Sequence, residues 1–373
     1  MLKKLFLFCI FLFSQSLLAA DIGLSTRALG MGNAFTAIVN DTDSVFYNPA
    51  GLAKMKAFQW TLFDAALGTN TYDSYQDYLD IAEDSSDIDG IISGLYGSSV
   101  NVYAGGKSVI SFGGLTFGAY GLVDAVFDVH NPVFPNIDSN YRVDYGFLAG
   151  WGMNLIPEML DIGLLGRRVT RTGGHIPIGV STIATLSSDA IQDEFSQTGT
   201  GYAFDWGATL TFPGALKPTI AFTWRDMGNT KYYGGLGQAT PAPTQQEHIL
   251  GLGLTFDTLL MSIKPALDFR YLNDSDMQIG KKIGVGVEIS WPLIDVRAGL
   301  HQGYYALGAS FDLWFFRVDA ATYGQELGEY PGQLEDRRYM LQFSLDFGID
   351  PGSFELFDLE RPSIKSHNRK LRR

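Results

Sequence analysis

Five histidines, His130, His175, His248, His301 and His367, are the first residues to test for metal or acid–base chemistry. No two stand four residues apart or in H-x-H spacing, so neither a helix face nor a strand face collects a ligand pair. Gly105-Gly106-Lys107-Ser108 has the ending of a phosphate-binding loop. Asn101, however, occupies the place of the required first glycine, and the segment sits between strands, not before a helix. Asp87, Asp89 and Gly90 fit part of a calcium loop, but Ser85 takes the first ligand position and Tyr96 the twelfth, where a bidentate acid belongs. A solvated acidic loop is the simpler reading, with a weak surface cation site as the alternative. No G-x-S-x-G elbow occurs and no serine has an evident base. The single cysteine, Cys9, lies near the N-terminus and leaves no thiol chemistry after export. The expectation is no enzyme, no cofactor and no metal.

A second set of polar residues falls at regular positions inside apolar segments: Arg142, Asp144, Asp205, Arg225, Lys264, Asp268, Arg270, Glu288, Asp312 and Asp346. Unpaired in a dry interior each would be costly, whereas paired or hydrated they persist. Either they form an internal ion-pair network or they line a polar path for solute.

The elements that hold them repeat with a period of two. From Tyr339 to Phe347, one face is Tyr339, Leu341, Phe343, Leu345 and Phe347, and the other is Met340, Gln342, Ser344 and Asp346. Ile283 to Trp291, Met261 to Tyr271, Trp206 to Phe212, Tyr141 to Trp151 and Leu115 to Val129 repeat the rule. A soluble sandwich alternates too, but with its polar face outward. A membrane barrel turns the apolar face to lipid. Three features favour the barrel. The segments run roughly nine to eleven residues, the length of a tilted membrane strand. Glycine recurs on the polar face, and the six tryptophans sit on or at the ends of segments, as in an interfacial girdle. The predicted fold is all-β, a transmembrane antiparallel barrel of about fourteen strands with a small N-terminal plug. The segments start near residues 57, 97, 115, 140, 175, 201, 217, 246, 261, 280, 294, 304, 315 and 337. Two stretches are ambiguous: 97–114, and 157–174, where Met159, Ile162, Leu164 and Leu165 hint at helical spacing. Tight turns are expected near 213–217, 257–261 and 291–294, and long external loops near 68–96, 186–200, 227–246 and 323–337.

Composition agrees. The 373-residue chain carries 43 glycines, 13% aromatic and only 18% charged residues, with a net charge of −13 that argues against nucleic acid. Lys3 and Lys4, the apolar run Leu5 to Phe13 and small residues to Ala20 read as a cleavable export signal. Residues 1–20 are thus the expected leader, 21–56 the plug, 57–348 the barrel and 349–373 a basic tail. The tail ends in Lys365, Arg369, Lys370, Arg372 and Arg373 and reads as a periplasmic end attracted to anionic lipid, or else as a docking segment. The expected site is the outer membrane of a Gram-negative cell, with outer-membrane lipid as solvent.

Thr26 to Met55 does not alternate. Gly30 and Gly32 permit tight backbone, Asp41 or Asp43 can cap a turn around Val45 to Tyr47, and Pro49 can open another through Leu52. The runs G-M-G-N-A-F-T-A (30–37) and V-F-Y-N-P-A-G-L-A (45–53) resemble the N-terminal signature of the FadL-type outer-membrane transporters, and more closely their PorV-like branch. Ala203 to Gly207, Arg225 to Gly228, and Arg297 to Leu300 leading to Gly303 and Tyr304 are similar to that branch as well. The resemblance implies a fourteen-stranded barrel closed by a hatch, with Asn48, Pro49 and Ala50 at the luminal constriction. It extends the candidate ligand path to Asn33, Phe35, Phe46 and Gly51. The implied function is transport of hydrophobic, fatty-acid-like small molecules through a lateral opening, with a kink or gap in an early strand. The alternative it implies is a scaffold or shuttle barrel for secreted proteins.

Overall fold

The computed structural model describes residues 25–55, 57–70, 99–130, 136–179, 197–235, 240–258, 260–313 and 315–349. The expected leader, the acidic stretch at 71–96 and the basic tail lie outside these residues. The strands are β1 (Phe58–Thr69), β2 (Ser99–Phe112), β3 (Leu115–His130), β4 (Asn136–Ile156), β5 (Leu160–Gly179), β6 (Thr198–Thr211), β7 (Thr219–Arg225) and β8 (Tyr232–Tyr233). They continue as β9 (Glu247–Gly253), β10 (Phe256–Asp257), β11 (Ser262–Phe269), β12 (Ile283–Ser290), β13 (Ile294–His301), β14 (Tyr304–Leu313), β15 (Phe316–Glu326) and β16 (Glu335–Ile349). β8 and β10 are two-residue ribbons. The other fourteen pair antiparallel with their neighbours, β1 joins β16, and β9 joins β11 across the β10 ribbon, so the sheet closes. Closure leaves no unpaired edge, which is what permits a sheet to sit in hydrocarbon.

The direction of the alternation is now visible. In β6, Tyr202 and Phe204 are 63% and 59% exposed, while Gly201, Ala203, Asp205 and Gly207 are buried. In β12, Val285 faces out and Gly284, Gly286, Glu288 and Ser290 face in. Apolar side chains therefore form the outer surface around the whole circumference, with Phe63, Leu67, Phe117, Phe147, Leu164 and Leu307 among them. Water would not tolerate so much contiguous apolar area, and lipid does.

Three expectations need correction. The hint of a helix at 157–174 fails: Leu160 onward is β5, because its inward positions, Asp161, Gly163, Leu165 and Arg167, pair with the lumen while Leu164 faces out. The glycine-rich Gly105 to Ser108 lies inside β2, not between strands, in unbroken register with β3. Strands of nine to eleven residues are found only in part. β3, β4 and β5 run to 16, 21 and 20 residues, because hairpin pairing continues past the apolar band. Turns at one end are short as expected, including residues 291–293. At the other end β13 and β14 are joined by only Gln302 and Gly303, both at positive φ, which suits a two-residue hairpin.

Inside the barrel sit α1 (Thr26–Gly30), α2 (Ser44–Tyr47) and a 3-10 turn, Pro49–Lys54. The 3-10 turn packs on β4, β5 and β6, and α1 packs on β13 to β16. Plug backbone reaches the wall because the wall there is glycine. A methyl group added at Gly286 would stand 2.1 Å from the Met31 carbonyl oxygen, and one at Gly163 would stand 2.0 Å from that of Pro49. Gly286→Val should therefore destabilise the barrel by about 3 kcal/mol through overpacking. Gly121→Ala, whose nearest neighbour would be at 3.7 Å, should be close to neutral. Urea unfolding in detergent, followed by tryptophan fluorescence, compares the two; equal midpoints would refute the close fit of the plug.

Candidate functional site

The plug is built around short turns capped by their own side chains. Ser25 Oγ accepts from the Ala28 amide at 3.3 Å and starts α1. Asn48 starts the 3-10 turn, its Oδ1 accepting from the Ala50 amide at 3.0 Å. Its Nδ2 donates to the Thr36 carbonyl and to Thr209 Oγ1 on β6, each at 3.0 Å. One amide thus ties two plug segments to the wall. Asp43 sits at the cap position of α2 yet caps nothing. Its carboxylate instead accepts from Ser25 Oγ at 2.5 Å and from Lys107 Nζ on β2.

The remaining hatch residues are buried within this body. Phe35 meets Tyr47 edge-on at 5.2 Å, and the Arg27 guanidinium lies 4.8 Å from its ring centre. Phe46 packs edge-on against Tyr120 of β3 at 5.3 Å. Asn33, at φ 60°, turns the chain after α1. Gly51 faces Ser44 Oγ at a distance that excludes any side chain. Pro49 and Ala50 lie against Gly163 and Gly207.

The luminal charges meet in groups. Glu288, with no exposure, accepts from Arg27 at 2.7 Å, Arg297 at 2.8 Å and Lys264 at 3.3 Å. Burial works against the Arg27 charge, but Glu288 and Asp41 outweigh it and hold the guanidinium above its ordinary value. Asp268 Oδ2 receives the Phe35 amide, the Thr36 amide and the Thr36 hydroxyl at 2.9, 3.0 and 2.6 Å. Toward the long loops, Arg171 pairs with Asp144 at 2.7 Å and Arg142 with Asp124 at 3.5 Å. Arg167 meets Asp205 at 3.0 Å and Asp226 at 3.2 Å. Glu247 holds both Arg225 and Arg270, at 3.2 and 3.0 Å. Asp346 accepts from Thr61 at 2.6 Å.

One cavity stands out, ≈870 Å³ counting the space at its mouth, between the plug and the β1–β16 seam. Arg27, Asp41, Thr42 and Asp43 form its plug side, and Thr61, Asp64, Asp312, Arg317, Asp319, Gln342 and Asp346 are among its wall residues. Trp60 and Phe347, 6.2 Å apart, stand at its outer rim. Beside it the wall is irregular. Pairing jumps from Thr61↔Asp346 to Phe63↔Leu345 on one side and from Thr61↔Val109 to Asp64↔Lys107 on the other. Leu62 and Phe63 consequently both face outward, the mark of a β-bulge.

The residues singled out in the sequence divide accordingly. Asp312 and Asp346 line the cavity; Asn48, Pro49, Ala50 and Gly51 do not, since they anchor the plug on the β5–β6 side. Arg27, Asp41, Asp43, Asp64, Lys107, Arg317 and Asp319 were not picked out as luminal; Lys107, between Gly106 and Ser108, has no apolar neighbours to mark its face. The bulge hid Asp64 by breaking the period of β1.

No protein-family model matches the chain, and no curated protein sequence matches it. Solved structures do. The TodX monoaromatic hydrocarbon channel deltaS2 mutant is 12% identical with a TM-score of 0.51, over 89% of this chain and 99% of that one. The CymD monoaromatic hydrocarbon channel is 11% identical with a TM-score of 0.50, over 89% and 99%. At such identity the likeness establishes the fold, a closed and plugged fourteen-stranded barrel of the kind that the FadL-type resemblance implied.

Glu288→Gln removes the anion that Arg27, Lys264 and Arg297 share, though Arg27 keeps Asp41 and Arg297 keeps Asp295 and Asp319, so a loss of about 3 kcal/mol is expected. Trypsin cleavage after Arg27 in the detergent-solubilised barrel should accelerate in parallel. Unchanged cleavage and unfolding would show that the plug does not depend on this node.

Proposed function

We propose that this protein is an outer-membrane channel that passes hydrophobic small molecules, and that its path runs through the cavity at the β1 bulge. The observation that carries the reading is the coincidence of three things: a cavity between plug and wall, a bulge in the adjoining strand, and an aromatic rim at the bilayer face. Two relatives in fold carry names as monoaromatic hydrocarbon channels, which supports the same class of cargo here.

The charge of the cavity refines the class. Its lining has six aspartates against two arginines. The excess of carboxylates over guanidinium groups in this lining opposes the entry of a further anion. Neutral aromatic molecules therefore suit this path better than fatty-acid anions. A second reading, a scaffold or shuttle for exported proteins, draws support from the filling of the upper lumen by ion pairs and by Tyr103, Tyr120, Tyr232 and Tyr323, all buried. Co-purification of an exported protein from native membranes would favour it.

Deleting Leu62 removes the extra residue and should restore regular pairing of β1. Uptake of radiolabelled toluene by cells expressing the intact chain is expected to fall at least about fivefold in the deletion, a change in barrier of roughly 1 kcal/mol. Uptake of labelled benzoate should stay low in both. Equal toluene uptake by the deletion and the parent, at equal barrel levels in the membrane, would overturn the bulge as part of the path.

A further inference from the structure

A layer of hydrogen bonds separates the cavity from a second space above it. Lys107 of β2, with 3% of its side chain exposed, reaches Asp43 of the plug and Asp64 of β1, the latter at 3.1 Å. Asp64 in turn accepts from Gln342 Nε2 of β16 at 2.7 and 2.9 Å. Gln342 Oε1 accepts from the Thr26 amide of the plug at 2.8 Å. The plug is thus fastened at two points to the three strands that flank the bulge.

Above this layer the second space narrows to a crevice too tight for a water molecule, along Ala66, Tyr103, Gly105 and Gly106, with Lys107 and Asp64 as its floor. Asp64 borders both spaces. The Tyr103 ring lies over Gly105, where an added methyl group would stand 2.6 Å from the hydroxyl oxygen. That hydroxyl is buried and has no hydrogen-bond partner. A buried hydroxyl without a partner is costly and calls for an explanation beyond packing. Water entering when the crevice widens supplies one.

We propose that Lys107 is the gate of the path, closing it by bridging Asp43 to Asp64, and that swinging this bridge open joins the crevice to the lower cavity. The inference rests on the path proposed above. Without the ammonium, no cation among the described residues joins Asp43 of the plug to Asp64 of the wall. A gate built on one charge needs only a side-chain rotation, not expulsion of the plug, to open. Gly105 leaves room for the Tyr103 ring to lie across the closed crevice, where any side chain would collide with it.

The test is ion conductance of the purified full chain in planar lipid bilayers, a readout that does not depend on any hydrocarbon. Lys107→Met should raise the mean conductance at least about fivefold over the parent, and Lys107→Arg should restore most of the closure. Heat-modifiable gel mobility checks that each variant is folded. If Lys107→Met does not fold, Asp43→Asn, which weakens only the plug end of the bridge, should still raise conductance. Folded Lys107→Met or Asp43→Asn with the parent's conductance would overturn the gate. Open conductance in Lys107→Met without toluene uptake by the parent would keep the gate and remove the hydrocarbon reading. Uptake by the parent with unchanged variant conductance would do the reverse.

Discussion

Backbone hydrogen bonding in hydrocarbon governs the rest of this structure. An unpaired amide or carbonyl in the bilayer costs several kcal/mol, so the sheet must return to its own first strand. It does so where β16 closes on β1, and the ring is gapless because β9 meets β11 across the two-residue β10. A closed ring of fourteen strands has a fixed width too large for its own side chains to fill. The lumen must then hold water, solute or more protein. Here it holds the residues that precede β1.

How the plug is held follows from what a barrel interior can offer. The outer face has taken the large apolar residues, leaving small and polar positions inward. Glycines such as Gly163, Gly207 and Gly286 let plug backbone lie directly on the wall, and charged positions such as Glu288 and Asp268 reach plug groups by hydrogen bonds. Burying Glu288 is tolerable only because three cations surround it. The two modes are distributed unevenly. Asn48 to Leu52 is packed tightly against β4 to β6, whereas Arg27 and Asp41 to Asp43 border open space by the β1–β16 seam. The loosely filled side coincides with the bulge, and any path for a small molecule is best sought there.

Much of this was legible in the residues themselves. A period of two, glycine on the polar face and tryptophans at segment ends specify a barrel strand by strand, because each is a local property of a pleated chain. The plug was legible because Thr26 to Met55 breaks that period and carries its own turn signals. Pro49 shows the strength of that reading, since a proline fit to open a turn stands first in Pro49–Lys54. Leu160 to Val169 shows its weakness: apolar residues at short spacing fit a helix or a strand equally, and only pairing with β4 and β6 decides.

What the sequence by itself determined is the kind of wall this chain builds, since alternation is set between adjacent residues and needs no partner. Which face met lipid it indicated only indirectly, through glycine, tryptophan and segment length, since a period has no sign until the sheet closes. Nor could it assign Asp43 to Lys107 and Asp64, residues 21 to 64 positions apart that meet only when register and closure bring β1, β2 and the plug to one height. The cavity, the bulge beside it and the bridge above it belong to tertiary structure for that reason. Each is a relation between strands, and register between strands is a property of the closed ring.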